Sequence, residues 1–168
     1  MFDLVVRNGQ LVDGSGTEPF VADVGITGDR IVEVGRGLGP AHRVIEADGL
    51  LVTPGFVDPH THYDGQLLWD PVLTPSANHG VTTVVAGNCG VGFAPARATD
   101  REWLISLMAG VEDVPAPALS EGLPWTWEHF SEFLDCIDAT PRAMDVGMLV
   151  PHGPVRAYTM GARSILPE

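Results

Sequence analysis

The pattern of apolar residues changes near residue 54, and this change most limits what the chain can fold into. Before it, short alternating runs are separated by tight-turn residues. "FDLVVRNGQLVDG" reads as a hairpin turning at Asn8-Gly9, and "FVADVGITGDRIVEVG" as a second turning at Gly28-Asp29. "HRVIEADGLLVTPG" adds two short strands. The alternation predicts an antiparallel sheet with one wet face. After residue 54, strands alternate with helices. "GFVDPH", "VTTVVAG" and "DVGMLV" are buried-type strands. A short helix ends at Gly80. A second begins at a capping box of Thr99 and Glu102. A third, capped by Thr126, carries Trp127, Phe130, Phe133, Leu134 and Ile137 on one face. Residues 111–124, with three prolines, read as a long loop. The fold class is therefore α/β: a β portion over 1–53, then parallel βα units over 54–168.

Charge narrows the partners. The formal net charge is −13, and all nine basic residues are arginine. Such a surface lacks the basic footprint that nucleic acid or an anionic membrane requires. No apolar run approaches the roughly 20 residues that span a bilayer. The chain begins with a strand-like run rather than a basic and then apolar leader. Two cysteines in unlike contexts suggest no disulfide framework, which points to a reducing cytoplasm. No sequence signal specifies an oligomeric state.

The chemistry gathers at the ends of the predicted strands. His60 and His62 share a face if the strand continues through them, and Asp58 shares it too. Paired neutral imidazoles suit Zn²⁺. Such ligands usually lean on a carboxylate, which Asp58 or Asp64 could supply. Cys89 directly follows the second strand, between Gly87 and Gly90. In parallel βα units the loops after the strands converge on one face, which would bring Cys89 toward the histidines. A thiolate there is a strong zinc ligand. Cys136, mid-helix, reads as an inert thiol. His152 follows the third strand and either lines the same pocket, caps the next helix or supports the ligands. His42, His79 and His129 read as surface or helix-face residues.

The run "VTPGFVDPHTHYD", then "GVTTVVAGNCGVGFAP", then "VPHGPVRAYTMG" resembles the metal-dependent amidohydrolases. More narrowly, the Gly-Asn-Cys motif resembles that of the N-acyl-D-amino-acid deacylases (D-aminoacylases). The resemblance covers the whole chain but only the N-terminal third of such a protein. It implies a β-sandwich built from both chain ends and a (β/α)₈ TIM-like barrel, of which this chain holds three βα units. It implies zinc, as one or two ions, with His60, His62 and Cys89 as ligands and Asn88 in the pocket. The implied substrate is a small N-acyl-D-amino acid, hydrolysed to a carboxylate and a free D-amino acid. The general-base aspartate and two more histidine ligands are expected downstream, so no catalytic base falls within the chain.

A full barrel takes about 250 residues, and three parallel strands leave an open edge. The chain is therefore expected to be a fragment, inactive alone. One alternative is a cyclic-amide hydrolase of the hydantoinase or dihydropyrimidinase type. Those commonly use a carboxylated lysine, and this chain has none. Another alternative is a non-catalytic module that keeps a metal motif.

Overall fold

The computed structural model describes residues 1–165 as two compact units, 1–54 and 55 onward.

The first unit is one five-stranded mixed sheet in the order β3-β2-β1-β4, with β5 also on β1. Its strands are β1 (Phe2–Leu11), β2 (Phe20–Thr27), β3 (Arg30–Gly35), β4 (Ala41–Glu46) and β5 (Leu51–Val52). The β2–β3 hairpin turns where expected, at 28–29. The first predicted hairpin does not exist. β1 runs straight through Asn8-Gly9, and the turn signal becomes a register shift between Val6 and Gly9 against β2. Asn8 takes the left-handed conformation (φ 58°), which that residue type tolerates. Its amide donates to Asp23 Oδ1 at 2.8 Å, so the bulge is tied to β2 rather than opened into a turn. β4 and β5 run parallel to β1, so the sheet is not purely antiparallel. Leu11, Ala22 and Val24 form its core with Val6, Ile26 and Val52.

The second unit has a three-stranded parallel sheet, β6-β7-β8. β6 (Phe56–Asp58) leads to α1 (Thr74–Ala77), β7 (Val81–Ala86) to α2 (Arg101–Glu112), α3 (Ala116–Gly122) and α4 (Phe130–Asp138), and β8 (Asp145–Met148) to α5 (His152–Met160). Three expectations shift. The proline-rich stretch holds α3, because Pro115 and Pro117 sit at its cap and first turn, where a missing N–H costs nothing. Thr99 does not cap α2. Asp100 stands at the cap and takes the Arg97 amide on its carboxylate at 3.1 Å. α4 starts at Phe130, with His129 rather than Thr126 at its cap. Glu132 turns back to accept the amides of His129 (2.9 Å) and Glu128 (2.8 Å), which lowers its pKa.

Trp127 therefore precedes the helix but still reaches the core. Its ring lies 4.8 Å from that of Phe133, and its Nε1–H donates to Phe93 O at 2.8 Å. Phe93, Leu104, Met108, Leu119 and Phe133 are essentially fully buried around this point. The core locks α2, α3 and α4 onto the segment after β7, and so fixes the loop that carries Cys89.

Candidate metal centre

β6 ends at Asp58, so His60 and His62 sit in the loop beyond it and strand alternation does not aim them. Thr61 aims them instead. Its amide and its hydroxyl both donate to Val85 O, each at 2.9 Å. The residue between the histidines is hooked onto β7, which leaves both imidazoles on the same side of the loop. Asn88 reinforces the hook. Its Nδ2 donates to Val85 O at 2.9 Å and to Thr61 O at 3.3 Å. One carboxamide thus ties the histidine loop to the turn that presents the cysteine. Asp58 is used locally: its Oδ1 accepts the His60 amide at 3.1 Å, which turns the chain out of the strand.

The cysteine turn is strained. Cys89 sits at φ 53° between Gly87 at φ 84° and Gly90 at φ 76°. A side chain at Gly87 would also collide with the Leu149 carbonyl, 2.1 Å from where its Cβ would stand. A left-handed non-glycine residue of this kind costs on the order of 1–3 kcal/mol and persists only where its surroundings impose it. Here the flanking glycines and the Asn88 clamp do so.

The outcome is a tight donor set. One ligand atom from each of His60, His62 and Cys89 lies within 4.8 Å of the others. His60 Nε2 is 3.1 Å from Cys89 Sγ, and the two imidazoles meet edge to face at 5.5 Å between centroids. His60 and Cys89 are exposed, while His62 is half-buried. His62 Nδ1 is buried and has no hydrogen-bond partner. Two imidazole nitrogens and a sulfur are the donors zinc favours, and a buried nitrogen without a partner is what a ligand position looks like before an ion satisfies it. The residues present fit a metal ion.

Asp64, two residues after His62, is wholly buried, with neither oxygen hydrogen-bonded. Burial pushes its carboxyl up to about 7, and the Glu112 charge adds to the rise. The Gly87 amide and its own amide pull the other way without reaching good hydrogen-bonding geometry. His152, the exposed first residue of α5, is not part of the donor cluster. With Cys89, Trp103, Leu107 and Arg156 it lines a cavity of about 310 Å³. Thr61 and Glu112 carried no role in the sequence. The first reads as a filler between two histidines, and the second lies in the stretch expected to be a loop.

The family model for the amidohydrolase family matches residues 43–166. This chain belongs to the amidohydrolase family. It is 40% identical over 160 residues to D-aminoacylase of Alcaligenes xylosoxydans xylosoxydans, a match covering 95% of this chain and 31% of that protein. It resembles a crystal structure of D-aminoacylase with a TM-score of 0.78 at 37% identity, covering 96% of this chain and 32% of the other. It also resembles N-acyl-D-glutamate deacylase from Bordetella bronchiseptica, complexed with zinc and a phosphonate inhibitor that mimics the reaction's tetrahedral intermediate. There the TM-score is 0.79 at 30% identity, covering 99% of this chain and 33% of the other. The chain spans about a third of the length of these relatives.

Proposed function

We propose that this chain is the N-terminal segment of a zinc-dependent amidohydrolase that hydrolyses N-acyl-D-amino acids and that it is inactive without the remainder. The convergence of His60, His62 and Cys89 carries the reading, because it assembles a zinc-type donor set from two separate strand ends. The likeness to a D-aminoacylase and to a zinc-complexed N-acyl-D-glutamate deacylase supplies the substrate class. The β portion would be part of a sandwich and the parallel units the opening of a barrel.

His60, His62 and Cys89 would hold the ion. Zinc, when bound, polarises an amide carbonyl and makes water a nucleophile at neutral pH. The chain's own contribution is positional. Thr61 and Asn88 hold the two ligand loops in register, and the glycines around Cys89 let the backbone bring sulfur to the histidines. His152 and Arg156 would border the approach to the ion along the cavity that Cys89 also lines. The general base would come from the remaining two thirds. The free thiols of Cys89 and Cys136 suit a cytoplasmic setting.

A chimera tests this reading. The chain replaces the corresponding third of the Alcaligenes D-aminoacylase, and hydrolysis of N-acetyl-D- and N-acetyl-L-amino acids is followed beside the isolated chain. The expected result is D-selective hydrolysis by the chimera and none by the isolated chain. Hydrolysis by the isolated chain, or a folded, zinc-loaded chimera with no activity on the D substrates, would overturn it.

A further inference from the structure

The cavity of about 310 Å³ beside the cysteine turn lies between α2 and α5, and its two walls are chemically opposite. Trp103, Leu107 and Val111 line it from α2 at successive i, i+4 positions, so they form one apolar stripe. His152 and Arg156 line it from α5, also at i, i+4 and therefore on one face. Cys89 lines it as well, which puts a proposed metal ligand at its border. A glycine lets α5 come this close: a Cβ on Gly153 would stand 2.6 Å from Gly90 O. His152 Cβ in turn lies 3.7 Å from where a Cβ on Gly90 would stand, so the first residues of α5 rest on the cysteine turn.

Arg156 is half-buried, and among the described residues no carboxylate pairs with it. The chain has 22 acidic residues against nine basic ones, so a partner was not scarce. In the same unit, Arg97, Arg101 and Arg142 each give their guanidinium to backbone carbonyls. A guanidinium is always charged, and its planar fork of donors fits a carboxylate. An imidazole adds a donor N–H in either tautomer. The ligand that suits both walls is a small carboxylate with a short alkyl tail. Amide hydrolysis makes such a molecule. The C–N bond breaks, the water oxygen stays on the acyl carbon, and a proton goes to the amine. Only then does the acyl group carry a carboxylate. We propose that this cleft is a binding subsite for the carboxylate product, with Arg156 and His152 on its oxygens and Trp103, Leu107 and Val111 along its tail. This rests on the amidohydrolase reading for the origin of the ligand, and adds to it where the acyl product is held.

The test uses the ¹⁵N-labelled 168-residue chain, kept metal-free so that no ion captures the carboxylate. The side-chain signals of Arg156 Nε–Hε and Trp103 Nε1–H are followed by NMR while sodium butyrate is added. Both should move saturably, with butyrate about tenfold tighter than acetate because two more methylenes are covered. Arg156→Gln should weaken binding, read at Trp103, by about 10- to 100-fold, the range of a hydrogen bond to a charged group. Val111→Asp, at a position 51% exposed, should weaken it too by setting a negative charge in the cleft. D-2-aminobutyrate, phosphate and N-acetyl-D-alanine offer the zwitterion of an amino-acid product, a free inorganic anion and the substrate's own carboxylate. Each should bind more weakly than butyrate. Absence of a saturable shift, either variant with wild-type affinity, or any of these three binding as tightly as butyrate would overturn the proposal. Zinc uptake without butyrate binding would sink the subsite and leave the metal centre standing. Butyrate binding without zinc uptake would support the subsite while the metal reading fails, so the two failures are distinguishable.

Discussion

Asn88 is the side chain on which the two halves of the donor set depend. Its carboxamide holds both Val85 O and Thr61 O, so removing it frees the histidine loop from the cysteine turn. Asn88→Ala should weaken Zn²⁺ binding by about 10-fold or more while leaving the chain folded, because the ligands remain and only their support is lost. Competition with a chromophoric chelator measures this, and unchanged affinity would remove Asn88 from the site. Gly87→Ala should act differently. It combines a φ of 84° with a collision against the Leu149 carbonyl, so it should cost more than about 1 kcal/mol of stability in urea unfolding. The sequence placed His60, His62 and Cys89 by residue type and by their position after strands. It could not show how they are aimed. The hook made by Thr61 and the approach of Glu112 to His62 depend on contacts between residues 24 and 50 positions apart, which no local pattern encodes.

Among the elements, β1 and α4 show what controls the fold. Asp23, on β2, accepts the Asn8 amide through Oδ1 and the Leu38 amide through Oδ2 at 3.0 Å, and it is 2% exposed. These donors, the Asn8 amide foremost, lower its pKa below the ordinary 3.8 despite burial. A carboxylate depressed in the folded state stabilises above its unfolded pKa, and that contribution is lost as pH falls through 3.8 toward the folded value. Asp23→Ala should strand both amides, at about 1–3 kcal/mol for each buried group left unpaired. Hydrogen exchange across β1 and β2 should show a large deficit in the variant near neutral pH that narrows on acidification. A deficit independent of pH would contradict the assignment. On α4, Phe133 is 1% exposed and packs against Trp127, so Phe133→Ala should cost about 3–5 kcal/mol in urea unfolding of this unit. Most elements of the second unit were legible because buried strands and amphipathic helices have distinct periods. The misreadings have different causes. Asn8-Gly9 is put to another use by Asp23, distant in sequence, whereas Thr99 yields the cap to the adjacent Asp100, and Pro115 and Pro117 open a helix where a missing N–H costs nothing.

For the molecule as a whole, a zinc-type donor set stands on a parallel sheet whose family membership is shown, in a chain that spans a third of its relatives. A site built this way should take up metal in part before it can catalyse anything, because three donors lie on this chain while the proposed base does not. The most direct measurement is X-ray absorption at the zinc edge on the chain loaded with one equivalent of Zn²⁺. The account predicts one sulfur scatterer at roughly 2.3 Å with imidazole nitrogens at roughly 2.0–2.1 Å, and loss of the sulfur shell in Cys89→Ala. A first shell of nitrogen and oxygen alone in the wild-type chain, or a sulfur shell that survives the substitution, would contradict it.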